Sequence, residues 1–177
     1  VVKGIYVVKN GILKVHTYGE SGKDQIIRFS KKGDVLGFRT LLSGESFGVS
    51  ATTLEDSELC FFEKKSFLEM MEKSNEFRSR VLAEMSQELA NMVEALTGMA
   101  QRTVRSRLCS ALIQLKELYE EEPINLSRED LANFIGTAPE TVIRLLSEMK
   151  AEHLIAVKGR KITVTDQASI EKMSLFS

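Results

Sequence analysis

The sequence predicts an α+β protein made of a small β-domain, one long helix and a winged helix-turn-helix. Short β-prone runs separated by glycine turns fill the first 75 residues, and a continuous helical pattern follows at 76–100. Two short amphipathic helices and a hairpin pattern then lie within 101–177. Strands and helices in separate parts of the chain are typical of α+β folds. We therefore expect three segments, 1–75, 76–100 and 101–177.

The first segment predicts a small barrel or sandwich. Asn10-Gly11 lies between two β-prone runs, 5–8 and 12–15, which is a strong signal for a two-residue hairpin turn. Further strands are predicted at 25–30, 35–37, 47–53 and 58–62. Many short strands joined by glycine-containing turns favour a closed or two-layered β-fold.

The long helix carries an apolar stripe with the three- and four-residue spacing of a coiled-coil seam. Its members are Val81, Met85, Leu89, Met92, Leu96 and Met99. Leu82, Ala90 and Val93 form a second apolar edge. One side can pack against the β-domain while the other contacts the same helix of a second copy, so we expect a homodimer. Burial of the whole stripe against the chain's own β-domain is the alternative.

Gly98 interrupts this helical pattern, and residues 103–119 predict a further helix. We therefore expect the hinge between the two domains at 97–102. Three arginines near it contact phosphates, stay solvated or pair within the chain: Arg102, Arg105 and Arg107.

Residues 127–150 predict two short helices joined by a tight turn. Ser127 is suited to the N-cap of the first helix, Gly136 provides the backbone freedom that the turn requires, and Pro139 stands in the first turn of the second helix, where no hydrogen bond is lost. Apolar residues at helical spacing give each helix one buried face: Leu131, Phe134 and Ile135, then Val142, Leu145, Leu146 and Met149. Two such helices across a glycine turn describe a helix-turn-helix.

The second helix leaves polar side chains for solvent or a ligand. Glu140 and Arg144 lie one turn apart on one face, and an α-helix fits the major groove of DNA. Arg144 can donate two hydrogen bonds to guanine, Glu140 can accept one from cytosine, and Thr141 can contact a phosphate or a thymine methyl. An exposed ion pair, worth a few tenths of a kcal/mol, is the alternative. Because the pair stands inside a helix-turn-helix, we favour DNA binding.

Residues 153–165 predict a hairpin, or wing, beside that helix, because two β-prone runs flank a basic turn containing glycine. Lys158, Arg160 and Lys161 would then lie near phosphates, where they add affinity without sequence information. A solvated hairpin tip is the alternative. Ser127 and Arg128, at the start of the first helix, are expected as further DNA contacts.

These motifs resemble the Crp/Fnr superfamily of bacterial transcription regulators. The resemblance lies in LSREDLANFIG, TAPETVIRLLSEMKAEHLI and VKGRKITV for the winged helix, and in GIYVVKNGILKV and KKGDVLGF for the β-roll. It implies an N-terminal cyclic-nucleotide-binding-like β-roll that lacks its first strands here, a long dimerisation helix and a C-terminal winged helix-turn-helix. It also implies a cytoplasmic homodimer that binds palindromic operators in double-stranded DNA, responds to an effector and contacts RNA polymerase.

By this resemblance Glu140 and Arg144 contact the bases of each half-site. Two positions depart from the family pattern. Pro139 stands where cyclic-AMP-type members carry arginine, and Ile143 replaces the glycine or serine of the two best-known branches. We therefore expect a half-site related to theirs but not identical.

The resemblance also places the effector segment at 37–51, with Phe38, Arg39 and Thr40 as candidate contacts. Phe38 stands where a ribose-binding glutamate is expected, and Val49 where an arginine would bind the phosphate. A buried phosphate without a charged partner is costly, so we do not expect cyclic AMP. Arg39 can bind another anion, although an exposed arginine is the simpler interpretation.

Two other cofactors occur in the superfamily. An iron–sulfur cluster needs several cysteines, whereas Cys60 and Cys109 are isolated, and we expect both to be buried, reduced thiols. For haem, His16 is the candidate axial ligand, but a lone histidine on a strand is more often a surface or packing residue. The effector, the exact operator and the choice between activation and repression stay open.

Composition limits the remaining classes of protein. With a net charge of −1, DNA binding must come from local basic patches. No apolar run reaches the ~20 residues of a membrane span, and no signal peptide is visible. No nucleophile–base group, metal-ligand cluster or phosphate loop indicates an enzyme. A winged-helix module that binds another protein, without DNA readout, is the alternative function.

Overall fold

The computed structural model describes residues 2–19, 24–44 and 48–175. The chain divides into two compact units. Val1–Tyr18 and Ile27–Glu94 form the first unit, and Gly19–Ile26 and Ala95–Ser177 form the second. The division falls inside the long helix, and the three-segment boundaries predicted at 75/76 and 100/101 stay predictions.

The N-terminal strands form two three-stranded sheets. The strands are β1 (Gly4–Asn10), β2 (Leu13–Tyr18), β3 (Asp24–Ser30), β4 (Val35–Leu36), β5 (Ser50–Thr53) and β6 (Glu58–Glu63). One sheet has the order β4-β1-β6 and the other β3-β2-β5. Tyr6 of β1 lies opposite both Leu36 and Phe61, and Val15 of β2 lies opposite Ala51, all in antiparallel register.

The predicted hairpin at Asn10-Gly11 is wrong, because β1 and β2 belong to different sheets. Gly11 does make the turn, with a φ of 93° that favours glycine. Val8 of β1 is buried in one apolar cluster with Leu13 and Val15 of β2. The turn therefore carries the chain from one layer to the other, and the two strands bury apolar side chains against each other instead of pairing their backbones.

Three helices complete this part of the chain: α1 (Phe38–Ser43), α2 (Lys64–Lys73) and α3 (Asn75–Gln101). A second apolar core lies between the β4-β1-β6 sheet and these helices. It contains Val2, Ile5, Phe38, Leu41 and Phe67. Phe77 of α3 meets Phe67 of α2 edge-on, with ring centroids 5.5 Å apart. The ion pair between Arg28 Nε and Glu88 Oε1, at 3.1 Å, attaches a later turn of α3 to β3.

The second unit holds the winged helix-turn-helix. Its elements are α4 (Val104–Tyr119), β7 (Ile124–Asn125), α5 (Arg128–Ile135), α6 (Pro139–Ala151), β8 (Ile155–Lys158), β9 (Lys161–Val164) and α7 (Gln167–Ser174). The predicted wing is confirmed as β8 and β9, in which Lys158 pairs with Lys161 around Gly159. The short strand β7, which we did not predict, pairs with β9 and makes a three-stranded sheet.

The core of this unit comes from its helices and from the sheet. Leu112 and Leu115 of α4, Leu131 of α5, Met149 of α6 and Ile162 of β9 are all fully buried. Along the chain, the β-strands of the first unit come before the long helix, and the winged helix-turn-helix comes last. This order confirms the predicted α+β class.

The three arginines near the expected hinge pair within the chain. Arg107 donates from Nε to the carbonyl of Ile135 at 2.9 Å, and from its terminal nitrogens to the carbonyls of Met99, Arg102 and Gly136 at 3.1–3.4 Å. These are carbonyls at the ends of α3 and α5, which lack helical partners. Arg105 forms ion pairs with Glu148 and Glu152 of α6 and the segment after it, and Arg102 contacts the hydroxyl of Ser110. The intramolecular alternative is therefore confirmed.

Both cysteines were predicted to be buried, and the structure confirms this for one of them. Cys109 is fully buried in α4, and its burial raises the pKa of its thiol. Cys60 is only half-buried, because it lies on β6, an outer strand of its described sheet. Within the described ranges, no group of three or more His, Cys, Asp and Glu side chains is placed to hold a metal ion. None of the described helices is long and apolar enough to cross a membrane.

Candidate nucleic-acid interface

Local backbone chemistry sets the geometry of the helix-turn-helix as predicted. Ser127 is the N-cap of α5, and its hydroxyl oxygen accepts a hydrogen bond from the Asp130 amide at 2.9 Å. Gly136 ends α5 with a φ of 68°, in the left-handed region that favours glycine. Pro139 is the first residue of α6. These three predictions are confirmed, and together they orient α6 relative to α5.

One face of α6 is buried in the core of the second unit. The residues predicted for this face, Val142, Leu145, Leu146 and Met149, are each at most 5% exposed. Lys150 and Ala151 are exposed in the last turn of α6. At about 100° per residue, the four exposed residues of its first three turns occupy the face opposite the buried one: Glu140, Ile143, Arg144 and Ser147. Around the helix they follow the order Ile143, Ser147, Glu140, Arg144 and span about 100° in all. The helix therefore presents one narrow outward strip that begins in its first turn.

Arg144 is exposed but already has a partner. Its side chain is 64% exposed, and its Nη1 lies 2.6 Å from Glu148 Oε1, one turn further along α6. The predicted alternative was an ion pair with Glu140, whereas the structure pairs Arg144 with Glu148. Such an exposed i, i+4 pair is worth about 0.3–0.5 kcal/mol. A stronger partner can therefore displace Glu148 at small cost.

Arg128, whose predicted DNA contact stays a prediction, binds the tip of the wing. Its two terminal nitrogens donate to the carbonyls of Gly159 and Arg160, at 3.1 and 3.2 Å. Burial lowers the pKa of the Arg128 guanidinium, and the nearby charge of Arg160 lowers it further. These two hydrogen bonds attach the start of α5 to the tip of the wing. The sequence contains no local signal for them, because the partners lie 31 and 32 residues apart.

The predicted phosphate contacts of the wing are all exposed: Lys158, Arg160 and Lys161. The backbone of Arg160 is held by Arg128, while its side chain stays in solvent. The wing is therefore a fixed basic patch in a chain whose net charge is only −1. Thr141 is half-buried beside the outward strip, and Ser127 is half-buried with its hydroxyl used in capping.

The predicted dimer stripe is split between the core and the surface. Val81 and Met85 pack against the core of the first unit, contrary to the seam that we assigned. Leu89, Met92, Leu96 and Met99 are between 43% and 70% exposed. Leu82 and Val93, which we placed on the second edge, are 58% and 57% exposed. The leucines at 82, 89 and 96 recur every seven residues, which is the signal that would have identified the exposed face from the sequence.

The candidate effector residues lie mostly in the core. Phe38 is 4% exposed and packs with Ile5 and Phe67, and Thr40 is also buried. Arg39 is exposed, in agreement with its simpler interpretation. Residues 45–47 of the expected effector segment lie outside the described residues.

His16, the candidate haem ligand, is a buried packing residue. It is 2% exposed, and its Nε2 lies 2.9 Å from the hydroxyl oxygen of Thr52 on the neighbouring strand. Tyr18 meets its ring edge-on at a centroid distance of 5.3 Å. His16 therefore uses its ring in contacts that stabilise the β3-β2-β5 sheet.

Comparisons with known proteins match both parts of the chain. A model of the Crp-like helix-turn-helix domain matches residues 106–173, and a model of the cyclic nucleotide-binding domain matches residues 1–74. The anaerobic regulatory protein of Pasteurella multocida is 26% identical over 182 residues, which cover 98% of this chain and 66% of that protein. The fumarate and nitrate reduction regulatory protein of Escherichia coli K12 is also 26% identical, over 98% of this chain and 72% of its own length. This chain thus spans about two thirds of the length of these relatives.

Solved structures share the fold. FixK2 from Bradyrhizobium japonicum superposes with a TM-score of 0.88 at 21% identity, covering 99% of this chain and 89% of that one. A transcriptional regulator of the CRP/FNR family from Thermus thermophilus gives a TM-score of 0.82 at 22% identity, covering 97% and 87%.

Proposed function

The chain belongs to the Crp/Fnr family of transcription regulators, and from that premise we propose that it binds palindromic operators in double-stranded DNA as a homodimer. The observation that carries this proposal is the outward strip of α6. Glu140 and Arg144 stand on the exposed face of a helix whose other face is completely buried. A helix with a carboxylate and a guanidinium in its first two turns has the form of a recognition helix.

The two side chains recognise complementary groups in the major groove. Arg144 donates to O6 and N7 of a guanine, and Glu140 accepts from the N4 amino group of a cytosine. Because the two residues lie one helical turn apart, they contact the same or neighbouring base pairs. On binding, Arg144 exchanges its exposed pair with Glu148, worth about 0.3–0.5 kcal/mol, for a bidentate contact worth about 1–3 kcal/mol in discrimination.

The wing supplies affinity that does not depend on sequence. Lys158, Arg160 and Lys161 contact phosphates, and Arg128 holds the wing tip by its backbone so that these cations keep their position beside α6. Such contacts release counterions, which makes binding weaken steeply with salt. Arg128 is thus a positioning residue for the wing.

Dimerisation uses the exposed stripe of α3. Leucines at 82, 89 and 96 and methionines at 92 and 99 repeat with the period of a coiled coil, and these side chains are 43–70% exposed in the single chain. A parallel pair of these helices covers that apolar surface. Insertion of the two recognition helices of such a two-fold dimer into successive major grooves requires a separation of about 34–36 Å between them.

The β-roll receives an effector other than cyclic AMP. Phe38 and Val49, which replace the ribose- and phosphate-binding residues of nucleotide-binding relatives, both contact apolar clusters. A charged ligand at these positions would lose water without gaining an ion pair. We place the protein in the bacterial cytoplasm, with RNA polymerase as its further partner.

Selection of binding sites tests the proposed function. The full chain is incubated with a pool of random duplexes, and bound sequences are enriched and read. We expect an inverted repeat with a G·C pair at equivalent positions of both halves, bound by two chains per duplex. The alternative, a winged-helix module that binds another protein, predicts no enriched sequence, and that result would contradict the proposal.

A further inference from the structure

Ile143 is the one large apolar residue among the six that α6 exposes. It is 51% exposed and directly precedes Arg144. Around the helix it stands about 60° from Glu140, on the side opposite Arg144. A β-branched side chain in this position neither favours the helix nor contributes to its buried face.

Pro139 extends the apolar character of this edge. It precedes Ile143 by one helical turn, so the two side chains are neighbours on the helix surface. By family resemblance, arginine stands at the Pro139 position in cyclic-AMP-type members, and glycine or serine stands at the Ile143 position. Proline removes the hydrogen-bond donors of the arginine, and isoleucine adds apolar surface. Ser147, one turn beyond Ile143, donates its hydroxyl to the Ile143 carbonyl at 2.9 Å. One edge of the recognition helix therefore offers apolar contact, while Glu140 and Arg144 offer hydrogen bonds.

We propose that Ile143 packs against the C5-methyl group of a thymine, within one base step of the pair that Arg144 contacts. The proposal rests on the proposed function, because it assigns a partner to the same helix. The thymine methyl is the apolar group on the major-groove edges of the four base pairs. Any other base edge at this point would lose water to Ile143 without gaining a hydrogen bond. Ile143 is thus a specificity-determining residue, and Pro139 forms the neighbouring part of its apolar edge.

Deoxyuridine provides the test, because it differs from thymidine only by this methyl group. In the operator selected by the full chain, each thymine is replaced by uracil at symmetric positions, and binding is measured by fluorescence anisotropy. We expect one position at which loss of the methyl weakens binding by about fourfold per half-site, the equivalent of one buried methyl group. Ile143→Ala should be insensitive to the replacement at that position. Ile27→Ala, which truncates an exposed isoleucine of β3, should keep the full effect.

The outcomes separate this inference from the proposed function. If Ile143→Ala and the parent chain respond equally at every thymine, while Arg144→Ala still loses preference at its own base pair, the methyl contact is refuted and DNA readout stands. If the chain selects no operator, or if Arg144→Ala keeps the selectivity of the parent, both are refuted. Because Ile143 is exposed, its truncation leaves the core of the unit unchanged, and the thermal midpoint of the variant verifies this.

Discussion

Replacement of Arg144 by alanine removes the guanidinium to which we assign guanine recognition. Arg144 is 64% exposed and pairs with Glu148 on the surface of α6, so its loss should change the free energy of unfolding by less than about 0.5 kcal/mol. In the complex it should cost about 1–3 kcal/mol per half-site. Since RT is about 0.59 kcal/mol, this corresponds to roughly 5- to 150-fold in affinity for each half-site.

The assay compares the selected operator with duplexes in which each base pair is changed in turn. The parent chain should discriminate at the position contacted by Arg144, whereas Arg144→Ala should bind all four pairs there alike and keep its preferences elsewhere. If Arg144 contacts a base, its loss should remove the preference at one base pair only. If Arg144 contributes only its charge, its loss should weaken binding to all duplexes alike.

Arg80→Ala is the matched control. Arg80 also forms an exposed i, i+4 pair, with Glu76 at 2.9 Å, and its side chain is 77% exposed. It lies on α3, at a heptad position away from the exposed leucines, and its replacement changes the net charge by the same amount. If Arg144→Ala retains the selectivity of the parent at every base pair, or if Arg80→Ala loses as much of it, the role assigned to Arg144 is wrong.

Three further results are expected. Lys158→Ala should weaken binding to all sequences alike and reduce the salt slope of the affinity by about one per chain, whereas Lys73→Ala on α2 should not; an unchanged slope would mean that the wing does not contact phosphate. Leu89→Asp should convert the dimer to monomers in sedimentation experiments, because it places two carboxylates across an apolar seam, and Gln87→Asp on another face should not; a dimer that survives the first change must use another surface. Burial raises the pKa of Cys109 above its ordinary value, so the stability of the fold with its neutral thiol is fully present below about pH 8.5 and declines as pH rises beyond that. Denaturant unfolding should then show a smaller alkaline loss of stability for Cys109→Ala than for the parent, and equal losses would contradict this cause.

Features that depend on a few neighbouring residues were predictable from the sequence. The Ser127 cap, the Gly136 turn, the Pro139 helix start and the wing around Gly159 are each determined by local backbone chemistry. The buried face of α6 followed from its periodicity for the same reason. These elements were sufficient to place Glu140 and Arg144 on an exposed face.

Features that depend on distant partners were not predictable. The Asn10-Gly11 turn has the local signature of a hairpin, but burial of Val8 with Leu13 and Val15 places the flanking strands in separate sheets. On α3 the predicted seam combined two edges of the helix. The seven-residue repeat of Leu82, Leu89 and Leu96 marks the exposed edge, whereas Val81 and Met85 pack against the core that contains Phe67. The hydrogen bonds from Arg128 to the wing carbonyls were not predicted, because these partners become its neighbours only in the folded unit.

The distance between the two recognition helices gives the most direct test of the central claim. Two inverted copies of the selected half-site are placed on duplexes at increasing centre-to-centre separations, and the affinity of the full chain is measured for each. A two-fold dimer that inserts Glu140 and Arg144 into successive major grooves predicts strongest binding at a separation of about 10–10.5 base pairs. Equal affinity at every separation, or for a single half-site, would contradict it.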